Sequence, residues 1–431
     1  MLERVMLSAG SGGLGWLAVN TDANYKSVAV EADSSKNVYI GSWAVGWSIH
    51  TIKYNSNPTV QWRKGLSSTI ADAYCQDMTI DSSGNVYTCG FNLYSPGEWF
   101  NPEAGQWEPY YSYQMIVAKY NSSGVLQWQR YYQKPPTDPP NNGDERPNRI
   151  AVDGSGNVYV AGKFTGRPGI VKFNSSGTLQ WQFTMNDGAL VAGLAVTSAG
   201  NVYASVRWSD QRGWVVAKFN TSGTLQWQRQ FSWGVGGILA TKALTLDSAE
   251  NVIVVGNPDG TGDYITAKYN SSGTLQWQKN LSSAGAPTNV CVDASNNIYV
   301  IGGTTTQANI VKYNSSGDVQ WQRSISSVIV TGNQGGGADI AVDNLGSFYF
   351  ITKTQSFGRI VFGKLPDTGD GAGSYVVGGV TITYATISLT NSNASYTSTT
   401  PTFTWADPSY NSGSSSMGDF TSGFAAQVVE I

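Results

Sequence analysis

Residues 268–278, KYNSSGTLQWQ, join an apolar-rich strand to a tight polar turn and then to a second strand carrying a tryptophan. The phrase recurs as YNSNPTVQWRK at 54–64, KYNSSGVLQWQ at 119–129, KFNSSGTLQWQ at 172–182, KFNTSGTLQWQ at 218–228 and KYNSSGDVQWQ at 312–322. A second phrase precedes each copy, a strand, an Asx-type turn and another strand. It reads SVAVEADSSKNVYI from Ser27, then MTIDSSGNVYT (Met78), IAVDGSGNVYV (Ile150), LAVTSAGNVYA (Leu194), LTLDSAENVIV (Leu244), VCVDASNNIYV (Val290) and IAVDNLGSFYF (Ile340).

Units of about 45–50 residues, each holding four short strands with period-2 alternation, have the length and content of propeller blades. The expected fold is all-β, a seven-bladed β-propeller. The seventh unit has no tryptophan strand after Pro366-Asp367-Thr368-Gly369, and Gly13-Leu14-Gly15-Trp16-Leu17 matches the missing GTLQW frame. Trp16 is therefore expected on the outer strand of the last blade, so that both ends of the ring share one sheet. The expected division is a propeller over 1–370 and a separate arm over 371–431.

Only 13% of residues are charged, the net charge is −3, and Gly, Trp and Tyr are abundant. No basic stripe appears, so the sequence offers no grip on nucleic acid. Cys75, Cys89 and Cys291 make neither an even framework nor a CxxC spacing, and read as small strand fillers. The opening MLERVMLSAGSGG holds an apolar run too short for a secretory signal, and no membrane span is seen. Synthesis in a cytoplasm is expected, without membrane insertion.

Strand order assigns the loops. The DSSGN and NSSG turns share one uniform face, whereas the second loop of each blade and the interblade connections share a variable face, where a rigid scaffold carries binding. Trp16, Trp62, Trp128, Trp181, Trp227, Trp277 and Trp321 hold one register position and are expected to pack between blades. The Asn-Ser-Ser sequons at Asn121, Asn174, Asn270 and Asn314 are turn chemistry.

Off that register lie Trp43, Trp47, Trp99, Trp107, Trp208, Trp214 and Trp233. The longest excursion, 92–114 in blade 2, adds Tyr94, Phe100, Tyr110, Tyr111 and Tyr113, and the connection 131–147 follows it with a proline-rich run. These aromatic segments are candidate binding loops for a glycan or a protein. They serve equally as a local core for the insertion, and both readings stay open.

After Lys364 no Lys or Arg occurs, while Asp367, Asp370, Asp407, Asp419 and Glu430 remain. An apolar residue followed by a small polar one recurs every seven residues, at Ile382, Leu389, Tyr396, Phe403 and Tyr410. Ser, Thr, Gly and Pro in the gaps oppose a helix, so short extended pieces are expected. Such an arm has little core of its own, and is expected to project from the ring and order against another subunit.

Catalytic chemistry is sparse. His50 is the only histidine and joins no nucleophilic set. Asp81, Asp153 and Asp293 lack the alternating carboxylates of a calcium loop. Asp259 with Asp263, or Asp138 with Asp144 and Glu145, are carboxylate pairs that nothing in their context selects. No metal and no cofactor is expected, and the protein is expected not to be an enzyme.

The paired phrases, IAVDGSGNVYVAG with IVKFNSSGTLQWQ, resemble the bacterial and phage seven-bladed β-propeller repeat family, over about 16–365. The tryptophan after the turn also resembles the docking motif of quinoprotein dehydrogenases, without the cofactor and calcium residues of those larger rings. The tail, KLPDTGDGAGSYVVGGVTITYATISLT and the end FAAQVVEI, resembles C-terminal regions of tailed-phage structural proteins, especially marine ones. That resemblance implies a virion component of tail, fibre or capsid surface, anchored to other virion proteins through 371–431 and contacting a host glycan or receptor. A bacterial cell-surface lectin or adhesion module is the alternative, with an extracellular location, and a propeller hydrolase or lyase the third.

Overall fold

The computed structural model describes residues 2–7, 15–20, 25–44, 48–67, 73–101, 105–132, 145–164, 166–185, 190–207, 213–232, 239–258, 262–326, 328–329, 338–343, 345–354, 360–377, 380–393, 397–399 and 405–406. They form seven antiparallel sheets arranged as a closed propeller, and every described element is a strand.

The innermost strands are Tyr25–Ala32, Ala73–Ile80, Arg146–Val152, Leu190–Val196, Leu239–Leu246, Ala286–Val292 and Asp339–Val342. Successive ones touch, and the seventh returns to the first. Apolar residues alternate onto both faces of each blade, so that seven hydrophobic cores form, one between each pair of neighbours. Cys75 and Cys89 lie buried in two of these cores, as free thiols.

The tryptophan strands are Val60–Ser67, Leu126–Tyr132, Leu179–Met185, Leu225–Ser232, Leu275–Leu281 and Val319–Ser326. Each indole Nε1 donates to a backbone carbonyl in the turn of the next blade, from Trp62 to Ser122, Trp128 to Ser175, Trp181 to Thr221, Trp227 to Ser271, Trp277 to Ser315 and Trp321 to Asp367, at 2.8–3.1 Å. Each of these six bonds runs from one blade to the next. The indole lies flat on the glycine that ends that turn. At Gly273 the backbone is left-handed (φ +79°), and a Cβ would stand 2.7 Å from Trp227 Cδ2, so both conformation and space demand glycine. The lysine of the KYN phrase converges on the same carbonyl, as in Lys172 to Thr221 and Lys312 to Asp367, both at 3.1 Å.

The Asx turns are closed internally. Asp81 Oδ1 accepts the Ser83 and Asn85 amides, and Oδ2 accepts Asn85 Nδ2 and the Tyr87 hydroxyl. The carboxylate is used up by turn and strand donors, which is why Asp recurs there. In blade 5 Ile253 replaces that tyrosine, and Lys268 instead reaches Asp247 at 2.8 Å.

Three expectations need correction. Gly15–Asn20 pairs with Ile360–Pro366 as foreseen, with Trp16 opposite Lys364, but it is not outermost, because Leu2–Leu7 adds outside it. Residues 92–114 are not a loop. Strands Val86–Asn101 and Gln106–Tyr120 run on as one long hairpin around a turn at Gly105.

The third correction concerns the tail. Its described part neither projects nor stands as a separate arm, since it adds strands to the ring's own outer edge. Gly373–Val377 and Val380–Thr386 form a hairpin on blade 6, Asn391–Asn393 pairs with blade 5, Thr397–Thr399 with blade 4 and Trp405–Ala406 with blade 3. Ile382 and Tyr384 are buried in the core between blades 6 and 7, and Leu389 packs against that between 5 and 6. The burial that an isolated arm would lack is supplied by its own propeller.

Candidate functional site: a protruding hairpin and a latched shaft

Two regions depart from the repeat. The first is the blade 2 hairpin. Its strands are 16 and 15 residues long, against seven for the corresponding pair Val158–Phe164 and Arg167–Phe173 in blade 3. Aligning Val86 with Val158 leaves residues 93–101 beyond the end of an ordinary blade, a reach of roughly 30 Å at about 3.3 Å per residue. The pairing shifts register between Tyr94 and Gly97, a bulge that twists the ribbon, and Phe100 stands opposite Trp107 at its far end.

The base of the hairpin is an aromatic relay. Trp43 meets Tyr74 edge-on at 4.8 Å, Tyr74 stacks on Phe91 at 5.1 Å, and Phe91 meets Tyr113 at 5.3 Å. The Arg146 guanidinium, from blade 3, sits 4.1 Å from the Tyr113 ring. Blades 1, 2 and 3 thus brace the root of the arm. Of the candidate binding rings, Tyr113 belongs to this brace, and Trp43, 6% exposed, is buried in it. Trp214 is also buried, stacked on Phe231 at 4.6 Å. Neither Trp43 nor Trp214 offers a face to a ligand, because both lie buried within strands rather than in loops. Tyr94, Trp99, Phe100, Trp107, Tyr110 and Tyr111 lie along the described backbone of the hairpin, with side chains outside the described residues. Trp47, Trp208 and Trp233, with 133–144, Asp259, Asp138 and Asp144, also fall outside them.

The second region lines the central shaft and was not anticipated. One position, just before the apolar residue that opens each repeat, is occupied in turn by Ala29, Asp77, Arg149, Gly193, Ala243, Asn289 and Asp339. Six of the seven innermost strands carry a register shift immediately before it. A bulge re-aims a side chain and leaves backbone groups without ladder partners. Here the side chains satisfy those groups on the next blade. Asp77 Oδ2 accepts the Ile150 amide at 3.0 Å, and Asp339 Oδ2 accepts the Val30 amide at 2.7 Å. Asn289 donates to Asp339, and Thr288 donates to the Ala338 carbonyl at 2.6 Å. Arg149 Nη2 reaches from blade 3 to the Lys242 carbonyl of blade 5 at 2.9 Å, past blade 4, where Gly193 has no side chain at this position.

Burial raises the Asp77 carboxyl to about 7, against the pull of Arg149, and raises Asp339 as well. Glu31, with Thr79 as its hydrogen-bond partner, is pushed well up by burial and by Asp339 and Asp77. Carboxyls whose hold on the proton is raised by burial can serve proton transfer. These two aspartates are instead spent on backbone amides across blade boundaries. A repeat alignment would have shown the polar substitutions at this position. His50 lies away from them, hydrogen-bonded to Ser48 Oγ at 2.6 Å, and burial lowers it to about 4. Asp263 accepts the Ser283 amide and Asn280 Nδ2. Among the described residues, no group of three or more His, Cys, Asp or Glu is arranged to hold a metal.

The class defined by this architecture is the all-β, seven-bladed propeller. A family model described as outer membrane protein assembly factor BamB matches residues 166–341, from the second half of blade 3 to the start of blade 7. The streptogramin B lyase structure shares 12% identity at a TM-score of 0.51, covering 84% of this chain and 97% of that one. A Dos1 propeller structure shares 9% identity at a TM-score of 0.48, covering 81% and 94%. At 12% identity the streptogramin B lyase likeness shows the fold alone. No curated protein sequence matches this chain.

Proposed function

We propose that the protein is a non-enzymatic binding scaffold, a rigid disc that holds the blade 2 hairpin out toward a glycan or protein on a cell surface. The hairpin's length carries this reading. An arm reaching roughly 30 Å past its blade, braced at the root by three blades, is held where a partner can reach it. Its aromatic content suits stacking on sugars or contact with protein at low entropic cost. The shaft aspartates Asp77 and Asp339, which could favour a hydrolase or lyase, bond to backbone amides of neighbouring blades, and this favours a latching role for them.

A phage virion remains the setting that the tail's composition suggests, with a bacterial surface adhesin as the alternative. The described strands of the tail pair with its own ring, which weighs against residues 373–406 as the anchor. Attachment to a particle then falls to other surfaces.

The test replaces residues 94–112 by a two-residue turn and compares both proteins on arrays of bacterial surface polysaccharides and on whole cells. Binding should vanish in the shortened protein while its melting curve is kept. A shortened protein that binds as well as the native one overturns the reading. So does a collapse of ring stability, which would make the hairpin a structural element.

A further inference from the structure

The seven-residue period of the tail is the pitch of a belt. Ser324 faces Ala385, Asn280 faces Ser392, Gln230 faces Thr399 and Thr184 faces Ala406. On the ring these are equivalent positions, each third after Trp321, Trp277, Trp227 and Trp181. On the tail their partners are each seven residues apart. One heptad therefore advances the tail by one blade, from 6 to 5 to 4 to 3. Blade 7 has its additional outer strand from Leu2–Leu7. Blades 2 and 1 are left, and among the described residues no fifth strand is paired to either.

We propose that the outer edges of Leu126–Tyr132 in blade 2 and Val60–Ser67 in blade 1 are docking edges for this chain's own residues 407–431. Three observations carry this. The heptad continues in the sequence, with Tyr410, Met417 and Phe424 following Ile382, Leu389, Tyr396 and Phe403. The register, carried on, sets Gly413 against Tyr131 and Phe420 against Gly65, a small residue facing a large one at each step.

The third observation is a buried acceptor. In blade 6 the Gln322 amide clamps the tail backbone, Nε2 donating to the Leu389 carbonyl at 3.0 Å and Oε1 accepting the Leu389 amide. Gln129 is the equivalent residue of blade 2. Its Oε1 is buried with no hydrogen-bond partner among the described residues. A buried carbonyl oxygen without a donor is costly, and the belt supplies a backbone N–H there, that of residue 417 by the same count. A tail in register thus satisfies an atom that the ring leaves unpaired.

Two cysteine pairs test the register, Tyr131→Cys with Gly413→Cys and Gly65→Cys with Phe420→Cys. Directly opposed strand residues have Cβ atoms about 4.5–5.5 Å apart, which small shifts bring within disulfide reach. Mild oxidation followed by peptide mapping should give an intramolecular bond in each pair and none in an off-register control, Tyr131→Cys with Ser416→Cys. Disulfide-linked dimers would assign these edges to a second copy, and the absence of a bond in both pairs would reject the belt; either outcome overturns the proposal. Hydrogen exchange on a chain ending at 406 reads the same point without substitution. Amides of Leu126–Tyr132 and Val60–Ser67 should exchange at least tenfold faster than in the full chain, with Leu225–Ser232 unchanged. Equal rates in the two proteins would also overturn it.

Discussion

Adding one methyl group at Gly273 tests how the blades are joined. The residue sits at φ +79°, where a side chain costs about 1–2 kcal/mol. The new Cβ would lie 2.7 Å from Cδ2 and 2.9 Å from Cε3 of Trp227, closer than such atoms approach, and overpacking of this kind costs about 1–3 kcal/mol. Gly273→Ala should therefore lose about 2–5 kcal/mol, combining both effects. Trp227→Ala should itself lose about 3–5 kcal/mol, through the emptied space and the lost bond to the Ser271 carbonyl. In the Trp227→Ala background the clash has gone, and Gly273→Ala should cost only the backbone part, about 1–2 kcal/mol. Denaturant unfolding followed by far-ultraviolet circular dichroism gives all four corners of the cycle. If Gly273→Ala costs the same with and without the indole, the ring is not what excludes a side chain, and the docking argument fails.

Removing residues 373–431 should lower the thermal midpoint in scanning calorimetry while leaving a folded monomer, because it strips Ile382 and Tyr384, 0% and 1% exposed, from an interblade core. An unchanged midpoint would show that the belt only rests on the ring. Asp77 titrates near 7 in the folded chain against an ordinary 3.8, so the fold holds its proton more tightly than the unfolded chain does. Its contribution is full below about pH 4 and is lost as the pH rises through about 7, so Asp77→Asn should gain on the native chain across that window. A difference in denaturation midpoint that stays constant from pH 4 to 7 would refute the raised value.

How much of this was legible depended on whether a residue's role was local or set by the ring. The register tryptophans could be read because six copies at one position admit few explanations, and the indole-to-glycine contact supplies the physical one. Residues 92–114 read as a loop because the spacing from Trp62 to Trp128 exceeds the usual repeat, yet a bulge at Tyr94–Gly97 takes up the irregularity of Pro96-Gly97 and pairing resumes. Trp43 and Trp214 were misplaced for the opposite reason, since nothing local marks where a strand stops and a variable loop begins. The shaft latches needed the seven innermost strands to be superposed. The tail's period was visible, but its meaning was not, because seven residues match no repeat of an isolated helix or strand. They match the step from one outer strand to the next, a length that exists only once the ring is closed.

That closure is chemically distinct from the other six joints. Blade 1 offers Asn55-Ser56-Asn57-Pro58 where the other blades offer a turn ending in glycine, so the indole of Trp16 has no flat seat on its neighbour. Trp16 sinks instead, 2% exposed and edge-on to Phe362 at 5.5 Å, and its Nε1 has no hydrogen-bond partner among the described residues. A joint that loses one interblade hydrogen bond and buries an unpaired donor is weaker by about 1–3 kcal/mol unless something replaces it. Two features lie at this seam. Asp339 carries a short bond across it to the Val30 amide, and Leu2–Leu7 lies outside the Trp16 strand and ties the N-terminal segment to the last blade. Sequence from opposite ends of the chain is thereby fixed at the one boundary where the repeat motif is broken, which lets a ring of near-identical units begin and end without an unlatched joint.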